Sequence, residues 1–235
     1  RRAKEAQELA SDVDFHVGIS AALRIMAMAQ MDIGDIDAAG NSLTRALSFA
    51  EDSVGVDVVA TRVLCGRLAL RMGDPEGCKL HLAAGLEAAR SGDPESYGPL
   101  LSAMYARASV VAGEEDAGRD LLIEAEGLLG DIAVPRKTQS LVVLALGWQA
   151  LNEEDRALEL ARTAANMADA SSFRYWSLVA LSIVADLSDE PEATQARTEA
   201  QKIAVDLCNS VPEEQRYIFR ESLRLRPLFL AMEEE

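Results

Sequence analysis

The sequence predicts an all-α chain, a stack of antiparallel helix pairs forming an α-solenoid. Three observations lead there. Turn signals recur at a nearly constant spacing, small residues recur at fixed distances from each turn, and the composition favours helices that pack closely. Of the 235 residues 49% are hydrophobic, which argues against disorder over most of the length. Aromatics make up only 5%, so aliphatic residues and alanine have to fill the core. That mixture suits helices whose backbones approach closely and suits a β-sandwich poorly.

Five segments carry the turn signals: Gly34-Asp35-Ile36-Asp37, Gly73-Asp74-Pro75-Glu76, Gly113-Glu114-Glu115-Asp116, Asn152-Glu153-Glu154-Asp155 and Ser188-Asp189-Glu190-Pro191. Their lead residues are 39, 40, 39 and 36 positions apart, and each segment separates two apolar runs of helical periodicity. A fixed period of this size marks a repeat array.

The helix after each turn shows why the period exists. Five places beyond the lead residue stand Ala39, Cys78, Gly118, Ala157 and Ala193; twelve places beyond stand Ala46, Gly85, Ala125, Ala164 and Ala200. Seven residues is two helical turns, so both columns share one stripe, and small residues there let paired helices close up. Nine places beyond stand Leu43, Leu82, Leu122, Ala161 and Arg197, four of them apolar. On the preceding helix, Met26-Ala27, Cys65-Gly66, Tyr105-Ala106 and Leu144-Ala145 set a larger residue before a small one, with Ala180-Leu181 reversed. A knob beside a hole is what close helix packing requires.

Taken together, the turn glycine, the small residues five and twelve places on, and the large-small pair before the turn resemble the tetratricopeptide pattern. Trp148 stands where that family often carries an aromatic. The period here exceeds the usual 34, as in the extended pairs of large bacterial regulators. The resemblance implies a right-handed superhelix spanning residues 1–235 as a single domain. It divides into a truncated first pair 1–14, pairs over about 15–52, 53–91, 95–130, 136–171 and 173–209, and a closing helix 212–230.

Ala3, Gln7 and Ala10 match the second-helix columns of a pair whose turn would precede residue 1, so the chain reads as cut from a longer array. At the other end, proline followed by acids is sound helix-start chemistry. The stretch Pro212-Glu213-Glu214-x-Arg216-x-x-Phe219 is similar to the closing segment of helical-repeat regions in bacterial multidomain regulators, which join such a region to a kinase, ATPase or transcriptional-activator module. Arg226-Pro227 follows about one helical turn later than in that pattern. The tail Glu233-Glu234-Glu235 is expected to fray.

Charge narrows the partners. Against 23 basic residues stand 39 acidic ones, a net charge of −16. Such a surface repels phosphate backbones and anionic membranes, so neither nucleic acid nor membrane is an expected partner. No run of 18 apolar residues occurs, and Arg1-Arg2-Ala3-Lys4-Glu5 lacks the apolar core of a signal peptide, so a cytoplasmic protein is expected. Cys65, Cys78 and Cys208 form no C-x-x-C pair and read as reduced core thiols.

Catalytic and metal signatures are missing. His16 and His81 stand alone, outside any metal-ligand spacing, and read as a helix-start residue and a helix-face residue. The sequence holds no G-x-S-x-G elbow, no phosphate-binding loop and no G-x-G-x-x-G. The acidic turns lack the alternating ligands of a calcium loop and fit acids placed against helix dipoles. No enzyme activity, cofactor or metal is expected.

Binding is. In tetratricopeptide arrays the first helix of each pair lines the inner curve, and ligands lie against it. By that resemblance the inner places carry Arg24, Met28 and Met31 in the first repeat, then Val63, Arg67, Leu70 and Arg71. Leu100, Ala103, Arg107 and Val110 follow, then Gln139, Val142, Leu146 and Gln149, and last Tyr175, Leu178, Ser182 and Ala185. Guanidinium forks there could hold carboxylates, with Met28, Leu70, Val142 and Leu146 adding apolar contact. The plainer alternative pairs these arginines with local acids, Arg67 with a carboxylate on a neighbouring helix for example. The Lys/Asn set of chaperone-tail clamps is lacking, since Met28, Arg67, Arg107, Leu146 and Ser182 occupy its places. Tyr175-Trp176 is expected to serve core packing. The expected partner is another protein, a peptide or a domain of the parent chain, with acidic groups. The alternative is self-association or internal docking that controls an attached kinase, ATPase or protease. An enzyme and an RNA-binding repeat are weaker rivals.

Overall fold

The computed structural model describes residues 2–50, 56–90, 94–130, 132–170 and 173–222. All regular structure among them is helical: α1 (Arg2–Asp12), α2 (His16–Ile33), α3 (Ile36–Ala50), α4 (Val56–Arg71), α5 (Pro75–Arg90) and α6 (Pro94–Val111), then α7 (Glu115–Gly127), α8 (Val134–Ala150), α9 (Glu154–Ala170), α10 (Arg174–Leu187), α11 (Glu192–Ser210) and α12 (Arg216–Glu221). A 3-10 turn over Glu213–Gln215 precedes α12. Where one closing helix over 212–230 is expected, the described residues form that turn and the short α12. Arg226-Pro227 and the acidic tail lie outside the described residues.

Four of the five turns are built alike. Gly34, Gly73 and Gly113 take φ of +91°, +73° and +87°, and Asn152, the residue that best replaces glycine there, takes +57°. The next N–H in each, from Asp35, Asp74, Glu114 and Glu153, donates to the carbonyl of Gln30, Ala69, Ser109 and Trp148 respectively, at 2.8–3.0 Å. Each helix thus ends in the same Schellman geometry, which satisfies its last carbonyls. Side chains then start the following helix: Asp35 accepts from the Ala38 N–H at 3.2 Å and Asp74 from the Gly77 N–H at 2.8 Å. The fifth turn differs. Ser188 is extended, so this hairpin lacks the left-handed cap and has its own spacing.

Pairs α2/α3, α4/α5, α6/α7, α8/α9 and α10/α11 pack side by side, and consecutive pairs stack. All ten small-column residues are buried, most of them completely. They and glycines of the first helices admit knobs from neighbouring helices. A Cβ on Gly66 would fall 2.9 Å from a Leu82 methyl, one on Gly85 3.0 Å from Leu101, and one on Gly147 2.7 Å from Leu122. Close approach is therefore built into the sequence, and the apolar core runs along the stack as a chain of clusters.

Between the third and fourth pairs the stacking changes: α8 packs chiefly on α6 rather than on α7. Beyond that step the array curls back on itself. α12 packs on α2, with Ser222 and the Ile218 main chain against Gly34, while Ile33 joins the cluster of Leu178 and Phe219.

The isolated histidines serve structure. His16 opens α2 and lies 3.1 Å from Asp14. His81 faces the Arg62 guanidinium at 3.2 Å. Burial, then the Arg62 charge, push its pKa below the ordinary 6.5, and Asp74 only partly opposes them. The unfolded chain therefore takes up this proton first, so the associated stability is complete above about pH 6.5 and declines as the pH falls through that value. The urea midpoint is expected to drop between pH 7 and 5.5, and His81→Gln to flatten that slope; an unchanged slope would remove His81 as its cause.

Candidate functional site

Curling back leaves a half-open cavity of about 720 Å³ on the inner side of the array. It is lined by α2, α4, α6, α8 and α10, the first helix of every pair, together with α12. The lining follows the repeat. Counting back from each lead residue, positions −13, −9 and −6 are Ala21, Ile25 and Met28; Ala60, Leu64 and Arg67; Leu100, Met104 and Arg107; Gln139, Val143 and Leu146; and Tyr175, Val179 and Ser182. All but Ser182 face the cavity. Spacings of four and three residues place them on one helical stripe, repeated in register.

Five arginines contribute to the wall: Arg24, Arg67, Arg71, Arg107 and Arg136. Two are neutralised at once. Arg24 meets Asp57 of α4 at 2.5 Å and Arg67 meets Asp32 of α2 at 2.5 Å, tying the first two repeats together. The Arg67 guanidinium also lies over two rings of α10, 4.9 Å from the Trp176 centroid and 5.4 Å from that of Tyr175. Those rings meet edge to face at 5.9 Å. Burial alone would lower the Arg67 pKa, but Asp32 and then Tyr175 outweigh it and hold it above the usual value, so the cation persists.

Arg71 and Arg136 are held differently, by uncharged groups. Arg71 donates to the Met31 carbonyl and to the Tyr175 hydroxyl. Arg136 stacks 3.8 Å above the Tyr97 ring and donates to Gln139 Oε1 at 3.4 Å. Among the described residues, Arg71 and Arg136 thus keep their charges with no carboxylate partner, whereas Arg24 and Arg67 are paired. The chain as a whole carries −16. The interior thus opposes the exterior in sign.

Of the residues expected on the inner curve, Arg24, Met28, Val63, Arg67, Leu70, Arg71, Leu100, Arg107, Gln139, Leu146 and Tyr175 line the cavity. Val142 does not: it is fully buried, packed with Ala145 and Ala161. Gln149 is half-buried and outside the lining. Both lie one residue, about 100°, round the helix from the lining stripe, toward the packed side. Met31, Ala103 and Leu178 are buried for the same reason. Tyr97, Met104, Arg136 and Val143 escaped notice, although carrying 97, 100, 104 and 107 forward by 39 gives 136, 139, 143 and 146. Tyr175 and Trp176 pack on the core cluster of α8 and α10 as expected, and their half-buried rings also form part of the wall, against Arg67. Tyr217, Ile218 and Glu221 of α12 had no sequence signal, because α12 belongs to no repeat.

The cavity wall contains no histidine, lysine or cysteine among the described residues. All three cysteines are free and buried elsewhere. Burial raises the Cys65 thiol to about 11 and the Cys78 thiol to about 12, so both stay protonated near neutral pH. Among the described residues no helix is long and apolar enough to cross a membrane, and no three His, Cys, Asp or Glu side chains are placed to hold a metal.

No protein-family model matches the sequence, and no curated protein matches it either. Among solved structures, the chain is similar to a variant of a Podosopora anserina protein assigned to the kinesin light chains and carrying nearly identical TPR-like repeats. Identity is 17%, with 87% of this chain and 96% of that one covered, at a TM-score of 0.48.

Proposed function

We propose that the chain is a binding scaffold rather than an enzyme, and that its inner cavity receives an acidic, partly apolar group of a partner: another protein, a peptide or a domain of the parent chain. One observation carries this, the cationic and apolar interior inside a strongly acidic chain. Guanidiniums stay charged at any physiological pH, and in a partly desolvated wall they favour carboxylates strongly. The wall offers guanidiniums, amides, aromatic rings and aliphatic groups, which bind and orient. It offers little that would act as nucleophile or general base. A focused positive interior also draws an anion past a negative surface and turns nucleic acid away from the outside.

A labelled peptide alternating glutamate and leucine, with its glutamine twin as control, tests this by fluorescence anisotropy. The glutamate peptide is expected to bind, more weakly as salt rises. Arg136→Gln is expected to weaken it about tenfold with helicity unchanged, since a hydrogen bond to a charged group contributes roughly 1.5–3 kcal/mol. Equal affinity for the two peptides overturns the proposal. Arg67 is the poorer probe, because its pairing also holds the fold together.

A further inference from the structure

We infer, resting on that reading of the cavity, that the group it receives is a compact amphipathic anion, an oxyanion head on an apolar body, free or at the end of a partner, rather than a length of polypeptide laid along the inner curve. Size is the first reason. At about 720 Å³ the cavity falls in the range of roughly 300–1,000 Å³ that suits small molecules. A helix about 10 Å across would fill it within roughly two turns.

Closure is the second. Arg67 against Tyr175 and Trp176 joins α4 to α10, and Ser222 against Gly34 joins α12 to α2. A long segment laid along the inner curve would have to part both contacts. A small ligand would leave them intact.

The third reason is how the charges are held. Arg71 and Arg136 are fixed by a carbonyl, a phenol, a ring face and an amide, with no carboxylate partner among the described residues. Such groups orient a guanidinium without neutralising it and leave N–H donors for an anion, whose oxygens match the fork. Around them the wall is aliphatic, from Leu100, Met104, Val143, Leu146 and Val179. An apolar body packs there, and methionine adapts to its shape.

The test uses the whole chain with decanoate, decyl phosphate and decanol, followed by calorimetry and tryptophan emission. Either anion is expected to bind one to one, to shift emission, to raise the melting temperature and to displace the glutamate–leucine peptide; which of the two binds identifies the head group. Decanol is expected to bind at least tenfold more weakly. Arg136→Gln and Arg71→Gln should each weaken the anion about tenfold, and Arg136→Lys should recover part of that loss; if Arg71→Gln fails to fold, the Arg136 pair carries the test. Trp176→Phe should lose most of the emission change. Anions that bind no better than decanol overturn the inference. A peptide that binds where neither anion does overturns it while leaving the proposed function standing, and failure of all three ligands overturns both.

Discussion

Replacing Arg67 with methionine is expected to destabilise the protein by about 2–4 kcal/mol, somewhat below the roughly 3–5 kcal/mol for breaking a fully buried ion pair because Asp32 is partly exposed. Only 15% of the Arg67 side chain and 30% of the Asp32 side chain are exposed. Methionine keeps most of the apolar stem but strands the Asp32 carboxylate and removes the cation from the two rings of α10. Lysine is not expected to rescue, because a single ammonium cannot reach Asp32 and lie flat over Trp176 at once. Asp32→Asn should cost less, since the stacking survives it. The checks are urea unfolding and small-angle scattering. The midpoint should fall, and the radius of gyration of the folded variant should rise as α10 leaves α4. A variant with wild-type midpoint and dimensions would show that this contact does not hold the array closed.

Gly118→Ala is expected to cost about 1–3 kcal/mol, the usual penalty for overpacking. Its Cβ would lie 2.6 Å from a Val110 methyl and 3.0 and 3.2 Å from the Val110 nitrogen and Cα. The methyl can turn aside, but the main chain cannot, so α6 and α7 have to spread. Gly127→Ala supplies the control of opposite sign. Nothing lies within 4 Å of that position, and alanine should add about 0.5–1 kcal/mol at most through helix propensity alone. Thermal melts of the two variants should move in opposite directions. Equal shifts would mean that the small column is not a packing requirement.

The hairpins were legible because they obey local rules. Gly34, Gly73, Gly113 and Asn152 mark left-handed caps, and Ala39, Ala46, Ala157 and Ala164 mark close helix contacts; both are repeated, so each occurrence supports the others. The rotation of each first helix was harder. Val142 and Val143 are both aliphatic, and only geometry decides which meets the cavity and which meets Ala161. Closure was not legible at all. The contact between Arg71 and Tyr175 spans 104 positions, and no repeated residue announces it. Of the two possibilities for the arginines, pairing with local acids holds for Arg24 and Arg67, whereas Arg71 and Arg136 are held by uncharged groups.

An open solenoid behaves as a line of neighbours, each unit held only by the next, with frayed extremities and stability that grows by equal increments. Joining α12 to α2 and α10 to α4 turns that line into a ring. Removing the last hairpin then strips cover from the beginning of the chain as well, so the loss should exceed one unit's share. Unfolding should start where the ends meet, because those contacts close the largest loop and are the last to form.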